Sequence, residues 1–363
     1  MKIGFLNEQA DPRVSLIPAV AAKYTSLGVE LLLEKGAGAA AYFPDEAYGE
    51  DVRLADRSQV LREADVLVSI HPLPDSELQA LSPNMVVVSE FAPFRKPDVV
   101  DELNGYKLRA FSLDMIPRTT LAQSMDVLSS MASIAGYRAV LEAGAYLPRY
   151  FPMLITAAGS IRPAKVLVLG AGVAGLQAIA TAKRLGAQVE ASDTRLAAKE
   201  EVLSLGAKFV EVEGARDDTE AGGYAVEQSE EFLERQRAEV QARAAKADVI
   251  ITTAQVRGNQ APVLLPASTV EKMQPGSVIV DLAASTGGNC ELTKDQEVIE
   301  VHGVTIIGNS NLAAKMPQDA SILYSNNVLN FLKTLIREGE LHVDMENEIV
   351  RGALITAPEE VAQ

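Results

Sequence analysis

The segment VLVLGAGVAGLQAIATAKRLGAQVEASD, Val166 to Asp193, restricts the possible fold more than any other stretch of the chain. Gly170, Gly172 and Gly175 satisfy the spacing GxGxxG between an uncharged apolar run and an amphipathic stretch. In a strand–turn–helix unit the first glycine permits the tight turn. The second lets backbone approach a pyrophosphate, and the third lets helix and strand pack closely. The helix amino terminus behind such a turn attracts phosphate through its free N–H groups and its dipole. The next strand-like run ends in Asp193, 23 residues after Gly170. A carboxylate there accepts hydrogen bonds from ribose hydroxyls and repels a 2′-phosphate, which favours NAD(H) over NADP(H). The residues this unit offers to the cofactor are Gly170, Gly172, Val173, Ala174 and Gly175, followed by Ser192, Asp193, Thr194 and Arg195. Arg195 reads as a stacking group for adenine or as a local ion pair, although an arginine near that spot can also accept a phosphate.

The run from Val166 to Ala182 carries no charge and is flanked by Lys165 and Lys183. It is shorter than the roughly 20 residues of a spanning helix, and its glycines cluster in the first half, so no transmembrane helix is expected. The N-terminus MKIGFLNEQADPR is too polar to be a signal peptide. The 33 basic against 49 acidic residues give a net charge of −16, which argues against nucleic acid as a partner. A single cysteine, Cys290, excludes an internal disulfide framework and suits a reducing cytoplasm. No metal site is expected.

Strand-like runs (KIGFL, VELLLE, DVLVSI, MVVVSE, KLRAFSLDMI) alternate with helix-like ones in the first third of the chain. A second series follows Pro163: KVLVLG, QVEASD, KFVEVEG, DVIITTA, SVIVDLA and VTIIGNS. Alternation of this kind predicts parallel sheets with crossover helices. The expected fold class is α/β, two doubly wound, Rossmann-like parallel-sheet domains joined by long helices. One is expected over 1–126, completed by 321–363, and the other over 127–320. Ser124 to Tyr146 reads as a linking helix, Gly214 to Gly223 as a mobile loop, and LHVDMENEIVRGALIT near the end as a hairpin.

PRTTLAQSMDVLSSMASIAGYRAV, followed by ITAAG, VLGAGVAGLQAIATAKRLGA, the DTR triplet, AGGYA, ITTA, PGSVIVDLAASTGGNC and GV-x-IIG, resembles the NAD(H)-binding domain I of proton-translocating nicotinamide nucleotide transhydrogenases. The likeness covers nearly the whole chain in order, and alanine dehydrogenases share the glycine loop but not the AQSMD segment. It implies the separately encoded soluble alpha subunit of a three-subunit enzyme, passing hydride between NADH and NADP(H) held on a partner subunit. Arg118, Gln123 and Asp126 are implied around the nicotinamide, with Ser129 beside them. Gly223 and Tyr224 are implied in the loop over bound NAD(H), and Gln255 after the ITTA strand. The resemblance further implies membrane-embedded partner subunits, an NADP(H)-binding domain, a homodimer, and a cytoplasmic location peripheral to the inner membrane. Family members usually carry an arginine where this chain has Leu121, and a leucine near Gln255.

The chemistry fits the mute character of PRTTLAQSMD. Hydride passing between two nicotinamides moves no proton at the reacting carbon, so aligning groups suffice. A dehydrogenase acting on a hydroxyl or amine needs an acid–base group as well. The alternative is an alanine dehydrogenase-like amino-acid dehydrogenase. Arg13 matches an arginine that those enzymes use for a substrate carboxylate. Their lysine and histidine lack clear counterparts, since Ser69, Ile70 and Glu90 stand near the expected positions. His71 could act as a base but reads as structural, and His302 and His342 have no supporting constellation. A further alternative is a non-catalytic NAD(H) sensor.

Overall fold

The computed structural model describes residues 1–211, 230–256 and 258–357, with backbone alone for 230–233. It divides into two compact units, Met1–Met131 with Ala314–Gln363, and Ala132–Ala313.

The first unit is built on β1 (Lys2–Phe5), β2 (Glu30–Glu34), β3 (Val52–Ala55), β4 (Val66–Val68), β5 (Val86–Ser89) and β6 (Arg109–Ser112). These pair in the order β3-β2-β1-β4-β5-β6, every neighbour parallel. Strands covered on both faces need apolar side chains pointing both ways. VLV of β4 does this: Val66 and Val68 join Ile3, Phe5, Val86 and Val88 in one core, and Leu67 joins Val60, Val87 and Leu103 in another. The crossovers include α1 (Pro18–Tyr24), α2 (Arg57–Glu63), α3 (Asp75–Leu78) and α4 (Asp98–Gly105). β3 was not foreseen; its DVRLA sequence is short and its Arg53 is exposed. KLRAFSLDMI is strand only over β6 and then turns at Leu113–Met115.

The expected linking helix is α5 (Val127–Tyr146); the residues before it, Thr120–Met125, form a 3-10 turn instead. The second unit opens with the short hairpin β7 (Leu154–Thr156) and β8 (Gly159–Ile161). Its main sheet comprises β9 (Lys165–Leu169), β10 (Gln188–Ser192), β11 (Lys208–Phe209), β12 (Val249–Thr252), β13 (Val278–Asp281), β14 (Val298–Val301) and β15 (Val304–Ile307). The order is β11-β10-β9-β12-β13-β15-β14, all parallel except the edge pair β14–β15. His302 and Gly303, both at positive φ, make the tight turn of that edge pair. Helices α6 (Val173–Arg184), α7 (Ala198–Ser204), α8 (Glu230–Ala244) and α9 (Ala267–Val270) complete the unit. The Gly214–Gly223 segment and Tyr224 lie outside the described residues.

The chain then returns to the first unit. Tyr324, Val328, Phe331 and Leu332 of α10 (Pro317–Leu332) are buried in its core. The expected terminal hairpin is a correction. The hairpin lies upstream, between β16 (Ile336–Arg337) and β17 (Glu340–Leu341). The residues NEIVRGA form α11 (Glu348–Ala353), because the Asn347 side chain caps Ile349 N–H at 2.9 Å and Ile349, Val350 and Ala353 bury one helical face. Leu354 bridges Phe111 and Ile355 N–H donates to Ala110 O at 2.9 Å, covering the edge of β6. Among the described residues no helix is long and apolar enough to cross a membrane.

Candidate functional site

The glycine loop connects β9 to α6 in the second unit. Gly170 has φ +98°, a conformation that strains any residue with a Cβ. A Cβ on Gly175 would stand 1.8 Å from Gly170 O, so α6 can lie this close to the loop only because that carbon is missing. Gly172 faces open space, with nothing within 4 Å of where its Cβ would be. That open backbone, preceding the amino end of α6 where Val173 is exposed, fits the approach of a diphosphate. Ala174 lies behind it: a Cβ on Gly136 of α5 would meet Ala174 O at 2.1 Å.

Asp193, at the carboxyl end of β10, is tied into the loop. Its Oδ2 accepts from Ala171 N–H at 2.7 Å. Its Oδ1 accepts from Arg195 N–H at 2.8 Å and from Arg195 Nε at 3.1 Å. Arg195 is thus engaged in a local ion pair with the acid. Oδ2 also accepts from Arg195 Nη2 at 3.2 Å, so the four acceptor positions of the carboxylate are engaged and a ribose hydroxyl would take the place of one of these bonds. Ser192 is buried and Thr194 exposed.

Three residues that the sequence did not single out hold the floor. Thr253 Oγ1 donates to Gly170 O at 3.0 Å. Asn289 accepts from Ala254 N–H and donates to Ala254 O and Pro262 O, clipping the loop after β12. Asp281, fully buried, accepts from Thr252 Oγ1, Ala283 N, Asn289 N, Cys290 N and Thr293 Oγ1 at 2.7–3.0 Å. A buried carboxylate is stable only with such a full complement of donors. The signal available in the sequence was an acid ending an apolar strand just before STGGNC. Gln255 is exposed, its amide donating to Leu282 O at 2.8 Å. Burial pushes the Cys290 thiol up, which disfavours the reactive thiolate.

In the first unit, Arg118, Gln123, Asp126 and Ser129 line one pocket of about 430 Å3, with Pro117, Thr119, Thr120 and Ala122. Ala122 and Met125 are buried anchors, whereas Leu121 and Gln123 face outward. Asn327 Nδ2 of α10 donates to Ser124 O at 2.8 Å and fastens the turn. Asp126 caps α5: it accepts from Ser129 N–H at 2.9 Å and from Ser129 Oγ at 2.6 Å. Among the described residues the buried Thr119 hydroxyl has no hydrogen-bond partner, a polar atom on the lining that the sequence did not single out.

A second polar cluster follows β1, β4 and β5. Asp11 Oδ1 accepts from Arg13 Nε at 2.9 Å, and Oδ2 from Arg13 Nη2 at 2.6 Å, with His71 Nε2 2.9 Å from Oδ2. Glu8 accepts from Ile70 and His71 N–H. Burial alone would raise the Asp11 pKa, but Arg13 and His71 hold it well below the carboxylate range. The Asp11 bond raises that of His71 against an opposing effect of burial. Among the described residues no group of acids, histidines and cysteine could hold a metal ion.

Two domain models match nearly end to end: alanine dehydrogenase/PNT, N-terminal domain, over residues 6–135, and alanine dehydrogenase/PNT, C-terminal domain, over residues 139–363. The chain belongs to the alanine dehydrogenase/PNT family. Within this family it lies on the transhydrogenase side. It is 41% identical to the first portion of NAD(P) transhydrogenase subunit alpha from Rhodospirillum rubrum, covering 98% of this chain and 96% of the relative. A solved transhydrogenase from Sinorhizobium meliloti superimposes with a TM-score of 0.90 at 39% identity, covering 98% of both chains. The alanine dehydrogenase of Bacillus subtilis is more distant, at 26% identity over 95% of this chain and 88% of its own.

Proposed function

We propose that this alanine dehydrogenase/PNT family member is the NAD(H)-binding subunit of a proton-translocating transhydrogenase, passing hydride between NADH and NADP+ on a partner subunit. The observation that carries this reading is the pocket lined by Arg118, Gln123, Asp126 and Ser129 without a lysine, histidine or cysteine. Such a lining can orient a ring, and its one carboxylate, Asp126, is engaged by the Ser129 N–H and hydroxyl, which suits transfer between two nicotinamides. NAD(H), when bound, supplies the hydride. Backbone at Gly172, Val173 and Ala174 receives its diphosphate, with Gly170 and Gly175 shaping the loop. Asp193 takes the adenosine ribose, Ser192 and Thr194 flank it, and Arg195 holds the acid in place. Arg118, Gln123, Asp126 and Ser129 orient the nicotinamide half, and Gly223, Tyr224 and Gln255 add further contacts to the cofactor.

NADP(H) sits on the partner's nucleotide-binding domain. The subunit is cytoplasmic and meets the inner membrane through membrane-embedded partner subunits, its coupling to proton movement being indirect. It functions as a homodimer, for which β7–β8 offers a surface: Met153 and Ile155 are 62% and 68% exposed, and a two-stranded sheet alone is marginal in water. Steady-state transhydrogenation after reconstitution with the partner subunits, set against NAD+ reduction by alanine, tests the assignment. Transhydrogenation without alanine oxidation is expected; alanine oxidation without transhydrogenation would return the chain to the amino-acid dehydrogenases.

A further inference from the structure

The cluster at the carboxyl ends of β1, β4 and β5 has no role in the nucleotide chemistry above, yet its place in the sheet is one that binds ligands. In the order β3-β2-β1-β4-β5-β6 the winding reverses between β1 and β4, and the crevice beyond such a reversal is where open α/β sheets take small molecules. Arg13, only 5% exposed, lies there after β1, and His71 lies there after β4. A side-on guanidinium beside an imidazole is a fitting cradle for a carboxylate. Asp11 fills it, with both oxygens on the Arg13 fork and one also on His71.

We infer that Asp11 is an internal substitute for a carboxylate ligand, closing the switch-point crevice of the first unit to small carboxylic acids. Asp11 already occupies the Nε–Nη2 edge of Arg13 and His71 Nε2, and Glu8 is held next to His71 by the backbone N–H groups of Ile70 and His71. A free carboxylate would find the Nε–Nη2 edge of Arg13 taken. Asp11 is therefore a specificity-determining residue: it denies amino and oxo acids the anchor at Arg13. Removing its carboxylate opens a site for an anion of the same shape.

The test is chemical replacement in the full chain without nucleotide. Melting temperatures of wild type and Asp11→Ala are compared in formate, acetate and chloride at equal ionic strength, at about 100 mM, where a ligand of millimolar affinity stabilises by mass action. The expected result is a saturable carboxylate-specific rise in Asp11→Ala and none in wild type, whose His71 NMR signals stay fixed as acetate is added. Folding of Asp11→Ala in formate but not in chloride is the same result in stronger form. Saturable carboxylate binding by wild type at His71 would overturn the inference. So would a folded Asp11→Ala with no specific gain. If that variant folds in no salt, Asp11→Gly, which leaves room for acetate, decides in the same way, and the absence of an acetate-dependent gain there also overturns it. Because no hydride acceptor is present, failure here leaves the transhydrogenase reading standing, and failure of that reading leaves this one.

Discussion

Gly175 and Gly170 are in contact through a missing carbon: a Cβ on Gly175 would sit 1.8 Å from the Gly170 carbonyl oxygen. The third glycine of the loop thereby fixes the first. Gly175→Ala must push α6 off the loop, an overpacking that costs about 1–3 kcal/mol, measurable by denaturant unfolding. Gly172 is different, because its Cβ would meet nothing. Gly172→Ala is expected to remain within about 0.5 kcal/mol of wild type while NADH affinity falls at least about tenfold. Calorimetry showing undiminished NADH binding by folded Gly172→Ala would remove the loop from the phosphate site.

Asp193 braces Ala171 and Arg195, and in the proposed function it takes the adenosine ribose. Asp193→Asn keeps the shape but loses the negative charge. NADH affinity should fall by about tenfold or more, roughly 1.4 kcal/mol, and the preference over NADPH should narrow as repulsion of a 2′-phosphate disappears. Parallel titrations with both nucleotides check this, and an unchanged ratio would count against the role.

Asp126 caps α5 through Ser129. Asp126→Ala should cost about 1 kcal/mol of stability, whereas Asp126→Asn, still an acceptor, should cost little. If hydride transfer falls in Asp126→Asn while its unfolding curve matches wild type, the carboxylate acts on the nicotinamide as well as the helix. Equal rates would leave it a cap.

The Asp11–His71 contact gives a pH dependence of definite sign. Asp11 raises the folded pKa of His71 above its ordinary 6.5, with burial working against it and Glu8 adding to it. A raised pKa means that His71 stabilises the fold fully below about pH 6.5 and that this contribution is lost as pH rises through the folded value. The imidazole is 52% exposed, so solvent screens much of the effect. NMR titration of wild type should place His71 above its ordinary value, and Asp11→Asn should bring it down. A His71 pKa indifferent to Asp11→Asn would mean that the pair does not form in solution.

The βαβ core was legible because its signals are local: three glycines, an acid at the end of the next strand, and apolar runs long enough to be strands. What the sequence hid depends on long-range geometry. Asp281 collects donors from Thr252 and from residues up to Thr293, and no period in the sequence joins them. Val52–Ala55 is a strand because its neighbour β2 offers a ladder; DVRLA alternates polar and apolar residues over too few positions to stand out by itself. The tail misled for a local reason: β-branched residues in LHVDMENEIV suggest strand, but Asn347 caps a short helix whose face is buried. The resemblance named Arg118, Gln123, Asp126 and Ser129, and these converge on one pocket; Thr119 on the same lining carried no motif of its own.

The most direct test is single-turnover stopped flow from NADH on this chain to an NADP+-loaded partner domain, wild type against Gln123→Asn. Gln123 is exposed on the pocket lining. Rapid transfer by wild type, with NADH binding kept and the rate at least about tenfold lower in the variant, about 1.4 kcal/mol of barrier, is the predicted result. No transfer by wild type in a verified complex that binds NADH would contradict the transhydrogenase assignment itself.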